Sequence, residues 1–198
     1  MPILLEVEGL SKRFGGFVAL DNIDLTVSAG ERLGLIGPNG SGKSTLVNCL
    51  CGALYHDTGN VKFDGHAIDS LPSYRRTRLG LSRSFQLPRP FRSLSLLDNL
   101  RIPLLYTVNA RPGGRLSEGA IRERSLALLE EVGLDDKADR LPAELTQVEM
   151  RKLELARAVA SAPRLLFADE AMAACRPPRS RRSWRCWPAS TSRASRSC

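Results

Sequence analysis

Residues 33–50 read Leu33-Gly34-Leu35-Ile36-Gly37-Pro38-Asn39-Gly40-Ser41-Gly42-Lys43-Ser44-Thr45-Leu46-Val47-Asn48-Cys49-Leu50. The apolar run Leu33 to Ile36 predicts a short buried strand. Gly37 to Gly42 predict a tight curl, and Leu46, Val47 and Leu50 predict a helix after it. A glycine-rich turn ending in Lys-Ser-Thr, between a strand and a helix, fits the pattern G-x-x-x-x-G-K-S/T in its required setting.

The residue types explain what such a curl can hold. A triphosphate needs many donors close together, and backbone N–H groups supply them only if the chain curls tightly. Gly37, Gly40 and Gly42 permit that curl and a close backbone approach. The helix that follows offers unpaired N–H groups and the positive end of its dipole. Lys43 adds a cation for the β- and γ-phosphates, and the Ser44 hydroxyl can ligate Mg²⁺. Gly37, Pro38, Asn39, Gly40, Ser41, Gly42, Lys43, Ser44 and Thr45 are the candidate nucleotide-binding set.

Outward from that loop, the 198 residues suffice for one domain with a real core. No apolar run approaches the roughly 18 residues of a membrane span. The N-terminus shows no signal segment, so a soluble cytosolic chain is expected. The net charge of +8 is unevenly placed. Of 29 basic residues, seven are arginines after Ala174, where there is no acidic residue; the first 174 residues carry only +1. The segment 175–198 also holds both tryptophans and three of the five cysteines, with no Leu, Ile, Val or Phe. Such a composition cannot join a core.

Upstream, Ile3 to Glu8 and Leu20 to Val27 read as strands. Phe14, in a Lys12-Arg13-Phe14-Gly15-Gly16 loop, could stack on an adenine ring or be an ordinary aromatic near the surface; spacing leaves both open. Downstream, Asp57 to Asn60 predict a loop, Val61 to Phe63 a strand and Asp64-Gly65 a turn. His56 and His66 read as solvated loop histidines. Cys49 and Cys51 read as small apolar side chains, because two apart is not one helix face. Arg75 to Arg78 read as a solvated helix face, and Gly80 to Phe85 as a strand ending at Gln86. Pro88, Pro90 and Pro103 should break the next region into short pieces. Ser117 to Val132 and Glu149 to Ala160 read as amphipathic helices, the first with Ser117 as N-cap and Gly133 as its stop.

Leu165 to Ala168 predict an apolar strand that ends in two carboxylates. Strands of a phosphate-loop sheet end beside the nucleotide. Asp169 there can hold Mg²⁺, and Glu170 can polarise the attacking water.

Together these motifs resemble the ABC-type ATPases, most closely the ATP-binding subunit of bacterial branched-chain amino acid importers. The resemblance covers about residues 3–174. It rests on Lys12 to Gly16, on Gly37 to Thr45, on Ser84 to Phe91, on Leu153 to Ala158 and on Leu165 to Glu170. It implies an α/β fold with a P-loop NTPase core, an antiparallel β part and a helical subdomain over about residues 88–160, incomplete at the C-terminus. It further implies Phe14 as the adenine-stacking aromatic and Gln86 as the sensor of Mg²⁺ and the γ-phosphate. Asp169 becomes the Mg²⁺ acid, alongside Ser44 and Gln86, and Glu170 the catalytic base. Leu145-Thr146-Gln147-Val148-Glu149 stands where the family has LSGGQ, so Thr146 would face a partner's γ-phosphate. Both glycines of that signature are replaced, and a β-branched Val148 resists φ > 0.

The resemblance also implies partners and place. The expected substrate is ATP with Mg²⁺. The expected partners are membrane permeases, a second ATP-binding subunit in a homo- or heterodimer and, indirectly, a solute-binding protein; no nucleic acid is expected. The chain would sit in the cytoplasm on the inner face of the plasma membrane. After Glu170 the family's interface loop and switch histidine do not follow. A codon choice exists for residues 173–187 that yields an amphipathic helix in another reading frame, so 175–198 read as a frameshifted tail. A hydrolysis-defective nucleotide-binding remnant, and a soluble ATPase acting on nucleic acid or ribosomes, are the alternative expectations.

Overall fold

Apolar residues alternate along two neighbouring segments, and each buries one face. In the computed structural model, which describes residues 1–85 and 87–168, they form an antiparallel hairpin. Its strands are β1 (Ile3–Phe14) and β2 (Phe17–Ser28), joined at Gly15-Gly16. β3 (Thr58–Phe63) pairs with the other edge of β1, and β4 (His66–Ala67) completes the order β2-β1-β3-β4. The β3–β4 connection is Asp64-Gly65, both at positive φ (51° and 76°), as a tight two-residue hairpin requires.

Helix α1 (Lys43–Leu50) lies on this sheet. Its Leu46, Cys49 and Leu50 join Leu5, Val7, Leu10, Val61 and Phe63 in one apolar core. α2 (Ser73–Leu79) ends at Gly80, φ 114°, and leads into β5 (Leu81–Ser84). β5 pairs in parallel with β6 (Leu165–Ala168).

A second core is helical. It gathers Leu96, Leu100 and Leu104, Ile121 and Leu129, and Leu153 and Ala156. These come from α3 (Leu96–Pro103), α4 (Glu118–Val132) and α5 (Gln147–Ala160), with Leu104 from the π-helical turn after α3. Burying each leucine contributes roughly 1.5–3 kcal/mol. Ser95 and Ser117 cap α3 and α4 by accepting from Asp98 N and Ala120 N, and Gly133 (φ 67°) stops α4.

Several expectations need correction. Leu33–Ile36 is not a buried strand. Leu33 and Leu35 are half exposed and Ile36 is 96% exposed. A strand needs ladder partners, and among the described residues the β5–β6 sheet does not extend to this segment. Phe14 is the last residue of β1, paired with Phe17, because the hairpin runs to its tip. His56 is nearly enclosed, its Nε2 3.1 Å from Asp69 Oδ1. Arg75 to Arg78 is not a wholly solvated face, since Arg76 is fully buried. α3 ends at Pro103, and a short π-helical turn over Leu104–Val108 follows, with Asn109 N donating to Leu104 O. α5 begins two residues earlier than expected, because Thr146 caps it. Gln86, Asp169, Glu170 and the segment 175–198 lie outside the described residues.

Candidate functional site

The curl from Gly37 to Gly42 emerges from the exposed 33–36 segment and feeds α1. Gly42 is the N-cap at φ 84°, and no side chain caps the helix there. Leu46 N, donating to Gly42 O at 2.8 Å, is the first intrahelical bond. The N–H groups of Lys43, Ser44 and Thr45 therefore lack helical partners and lie at the positive end of the helix.

Gly42 is required by its surroundings: it sits at φ 84°, and a Cβ there would stand 2.4 Å from the Ala19 carbonyl oxygen, whereas one on Gly37 would meet only the movable Ser41 Oγ, at 2.8 Å. The end of the loop is thus pressed against β2 at Ala19. Lys43 closes one side of the loop. Its Nζ donates to the carbonyls of Gly37 (2.7 Å) and Pro38 (2.6 Å) and to Ser41 Oγ (3.3 Å). Gly37 to Ser41 and Ser44 are exposed, so an anion reaches the loop from solvent. Uncapped helix donors, an exposed loop and an ammonium fit a chain of phosphates.

The hairpin tip lies beside this loop, because Gly42 abuts Ala19 on β2. Phe14 there is 50% exposed, and Lys12 Nζ stands 5.7 Å from its ring centroid. Lys12 is paired with Asp57 at 2.7 Å. That hydrogen bond, and then the one from Arg13 N, hold the Asp57 carboxyl below its usual range.

Behind the loop, Cys49 and Cys51 are not reactive thiols. Burial pushes both up, Cys51 to about 11. Cys49 is fully buried, whereas Cys51 is the C-cap of α1 and only partly covered.

The stretch expected to hold the signature caps and begins α5. Thr146 Oγ1 accepts from Glu149 N (3.3 Å) and donates to Glu149 Oε2 (3.0 Å), and Thr146 N donates to the same oxygen (2.9 Å). Thr146 can donate to a phosphate only by leaving Glu149. Lys137 also pairs with Glu149, and with the Thr146 bonds pulls its carboxyl down to about 2. Val148 is helical and not at positive φ, contrary to the strain argument. Its side chain is 53% exposed.

A family model described as "ABC transporter" matches residues 20–173. The chain belongs to the ABC transporter ATPase family. The cassette is 36% identical to BraF, a high-affinity branched-chain amino acid transport ATP-binding protein of Pseudomonas aeruginosa, over 88% of this chain and 71% of that protein. It is 34% identical to its LivG counterpart from Escherichia coli, with the same coverage. Among solved structures, the ADP conformation of an ABC transporter cassette matches at TM-score 0.72 and 32% identity, over 87% of this chain and 70% of that one. A dimeric, post-hydrolysis cassette bound to ADP and phosphate matches at TM-score 0.75 and 26% identity, over 86% and 75%.

Of the expected site residues, the structure brings the loop 37–45 and Phe14 to one end of the sheet. Thr146, exposed, caps α5, which contributes to the helical core. Three residues that sequence reasoning missed support the cassette. Arg76 binds the carbonyls at the end of α1. Arg111 donates to the Thr77, Arg78, Ser161 and Ala162 carbonyls, tying α2 to the end of α5. Asp57 holds the end of β1. None sits in a motif, and only burial or pairing reveals them. Between β5 and the helices lies a cavity of about 360 Å³, lined by Phe85, Phe91, Tyr106, Glu154 and Arg157 among others.

Proposed function

We propose that this cassette binds and hydrolyses ATP with Mg²⁺ to power an importer for branched-chain amino acids or similar amides. The observation that carries the reading is the uncapped start of α1 behind a loop whose Gly42 leaves no room for a side chain.

The residues divide the work by chemistry. The N–H groups of Lys43, Ser44 and Thr45 bind the phosphates. Lys43 exchanges its loop carbonyls for phosphate oxygens, and Phe14 stacks on adenine. Ser44 and Asp169 hold Mg²⁺, with Gln86 sensing it and the γ-phosphate. The metal, when bound, offsets the charge that develops on the phosphates. Glu170 polarises the attacking water. Thr146 meets the γ-phosphate of a second ATP-binding subunit after releasing Glu149. On this reading residues 1–174 form the ATP-binding domain, with a helical subdomain over about residues 88–160.

The partners follow from the same reading. Exposed Phe85, Phe91 and Tyr106 at the cavity mouth give a permease an apolar foothold. No helix among the described residues is long and apolar enough to cross a membrane. The cassette would therefore sit on the cytoplasmic face through its permeases, beneath a solute-binding protein. With a net charge of only +1 over the first 174 residues, the reading includes no nucleic-acid partner. ATPase turnover of the full chain, measured with and without the permeases in vesicles, tests this. Turnover that rises with the permeases and couples to amino acid uptake supports the reading; turnover indifferent to them overturns it.

A further inference from the structure

We propose that Asp57 is a positioning residue for the nucleotide base, holding the end of β1 so that Phe14 meets adenine in a fixed pose. The inference rests on the reading of Phe14 as the adenine-stacking aromatic.

β1 outruns its neighbour. β3 stops pairing with β1 at Thr58, opposite Ser11. Lys12, Arg13 and Phe14 project beyond it, paired only with β2 on their other edge. An unsupported strand end frays, and a frayed end would carry Phe14 with it. Asp57 replaces the missing strand. Its own N–H donates to Ser11 O at 2.9 Å, which continues the ladder by one bond. Its Oδ2 then accepts from Arg13 N at 2.7 Å, where a further β3 residue would have offered a carbonyl.

The second carboxylate oxygen acts on the ring. Asp57 Oδ1 accepts from Lys12 Nζ at 2.7 Å, and that ammonium stands over Phe14. A paired cation on the ring restricts its swing while half of the residue remains exposed for a base. Ala19, against which Gly42 packs, is two residues from Phe17, about 7 Å along the strand. One hairpin thus bears the aromatic at its tip and the phosphate loop on its flank. Ordering the ring before binding reduces the entropy lost when the base stacks.

The test compares ATP with inorganic tripolyphosphate, which has no base, by calorimetry on the full chain. Phe14→Ala should raise the Kd for ATP about tenfold, within the range of base–aromatic stacking. Asp57→Asn should raise it about three- to tenfold, part of the same stacking contribution. Neither should change the Kd for tripolyphosphate. The double variant should bind ATP no more weakly than Phe14→Ala alone, because both remove one interaction. If Phe14→Ala leaves ATP binding intact, the stacking reading falls and the inference with it. If Phe14→Ala weakens ATP but Asp57→Asn does not, or Asp57→Asn weakens tripolyphosphate equally or adds to Phe14→Ala, the inference alone is overturned. Should Asp57→Asn fail to fold, Lys12→Gln takes its place. The same selective loss is expected, and its absence overturns the proposal.

Discussion

Arg76 Nη1 donates to the Cys49 carbonyl at 2.8 Å, from a fully buried position under the last turn of α1. The same nitrogen reaches Leu50 O at 3.0 Å, while Nη2 and Nε take Asp69 O and Leu71 O. A helix end leaves carbonyls unpaired and carries partial negative charge, so a buried guanidinium there answers both needs. The helix that presents the phosphate loop at its N-terminus is therefore pinned at its C-terminus. Gly52 leaves the room, since a Cβ there would stand 2.8 Å from Arg76 Nε.

Replacing Arg76 by Ala takes a donor from four carbonyls in buried or partly buried hydrogen bonds, of which Cys49 O keeps Gly52 N. The expected loss is at least about 3 kcal/mol of unfolding free energy. Urea unfolding followed by circular dichroism checks it. An unchanged midpoint would contradict the pinning.

Lys43 contributes little to the fold, because its partners are exposed loop oxygens. Lys43→Ala should leave the melting temperature of the ligand-free chain nearly unchanged, within about 0.5 kcal/mol. Saturating Mg-ATP raises the melting temperature of a protein that binds it only when folded. That rise should vanish in the variant, with hydrolysis down about 100-fold or more. A melting temperature that still rises with ATP would argue against the role of Lys43.

Gly42→Ala faces two penalties, positive φ and the Ala19 carbonyl. The backbone conformation alone costs about 1–2 kcal/mol. Thermal melts should show that loss, and ATP binding should weaken with it. Gly40→Ala shares the φ of 84° but meets no atom within 4 Å, so its loss should be smaller. Equal losses would contradict the close approach at Gly42.

Glu149 sets part of the acid limb of stability. Its carboxyl titrates near 2 in the folded chain against an ordinary 4.5, because Lys137 and Thr146 favour the charged form. A depressed folded pKa stabilises above the unfolded value and is lost as pH falls through the folded one. The contribution should be complete above about pH 4.5 and disappear toward pH 2. Glu149→Gln should flatten that part of the profile. Identical acid profiles for the two proteins would refute the assignment.

Much of this was legible because local signals and tertiary packing agree. Ser117 and Gly133 bound α4 as their capping chemistry requires, and its Ile121, Leu128 and Leu129 face the helical core. Leu165–Ala168 is a strand as its apolar run suggests. Leu33–Ile36 is also a short, largely apolar run but lacks a strand beside it among the described residues, so apolar character could not tell the two apart. Arg76 defeats a charge-pattern reading because its four acceptors are backbone carbonyls, invisible in a sequence. Val148 looked strained for its backbone, yet it lies in α5 and not at positive φ. Asp57 sits in a turn-like stretch, and its role depends on where β3 stops relative to β1.

The most direct test is calorimetric titration of the folded full chain with Mg-ATP, beside Lys43→Ala. The account predicts saturable binding at one site per chain, lost in the variant. A folded chain that takes up no ATP at millimolar concentration, or binds it equally with Lys43 removed, would contradict it.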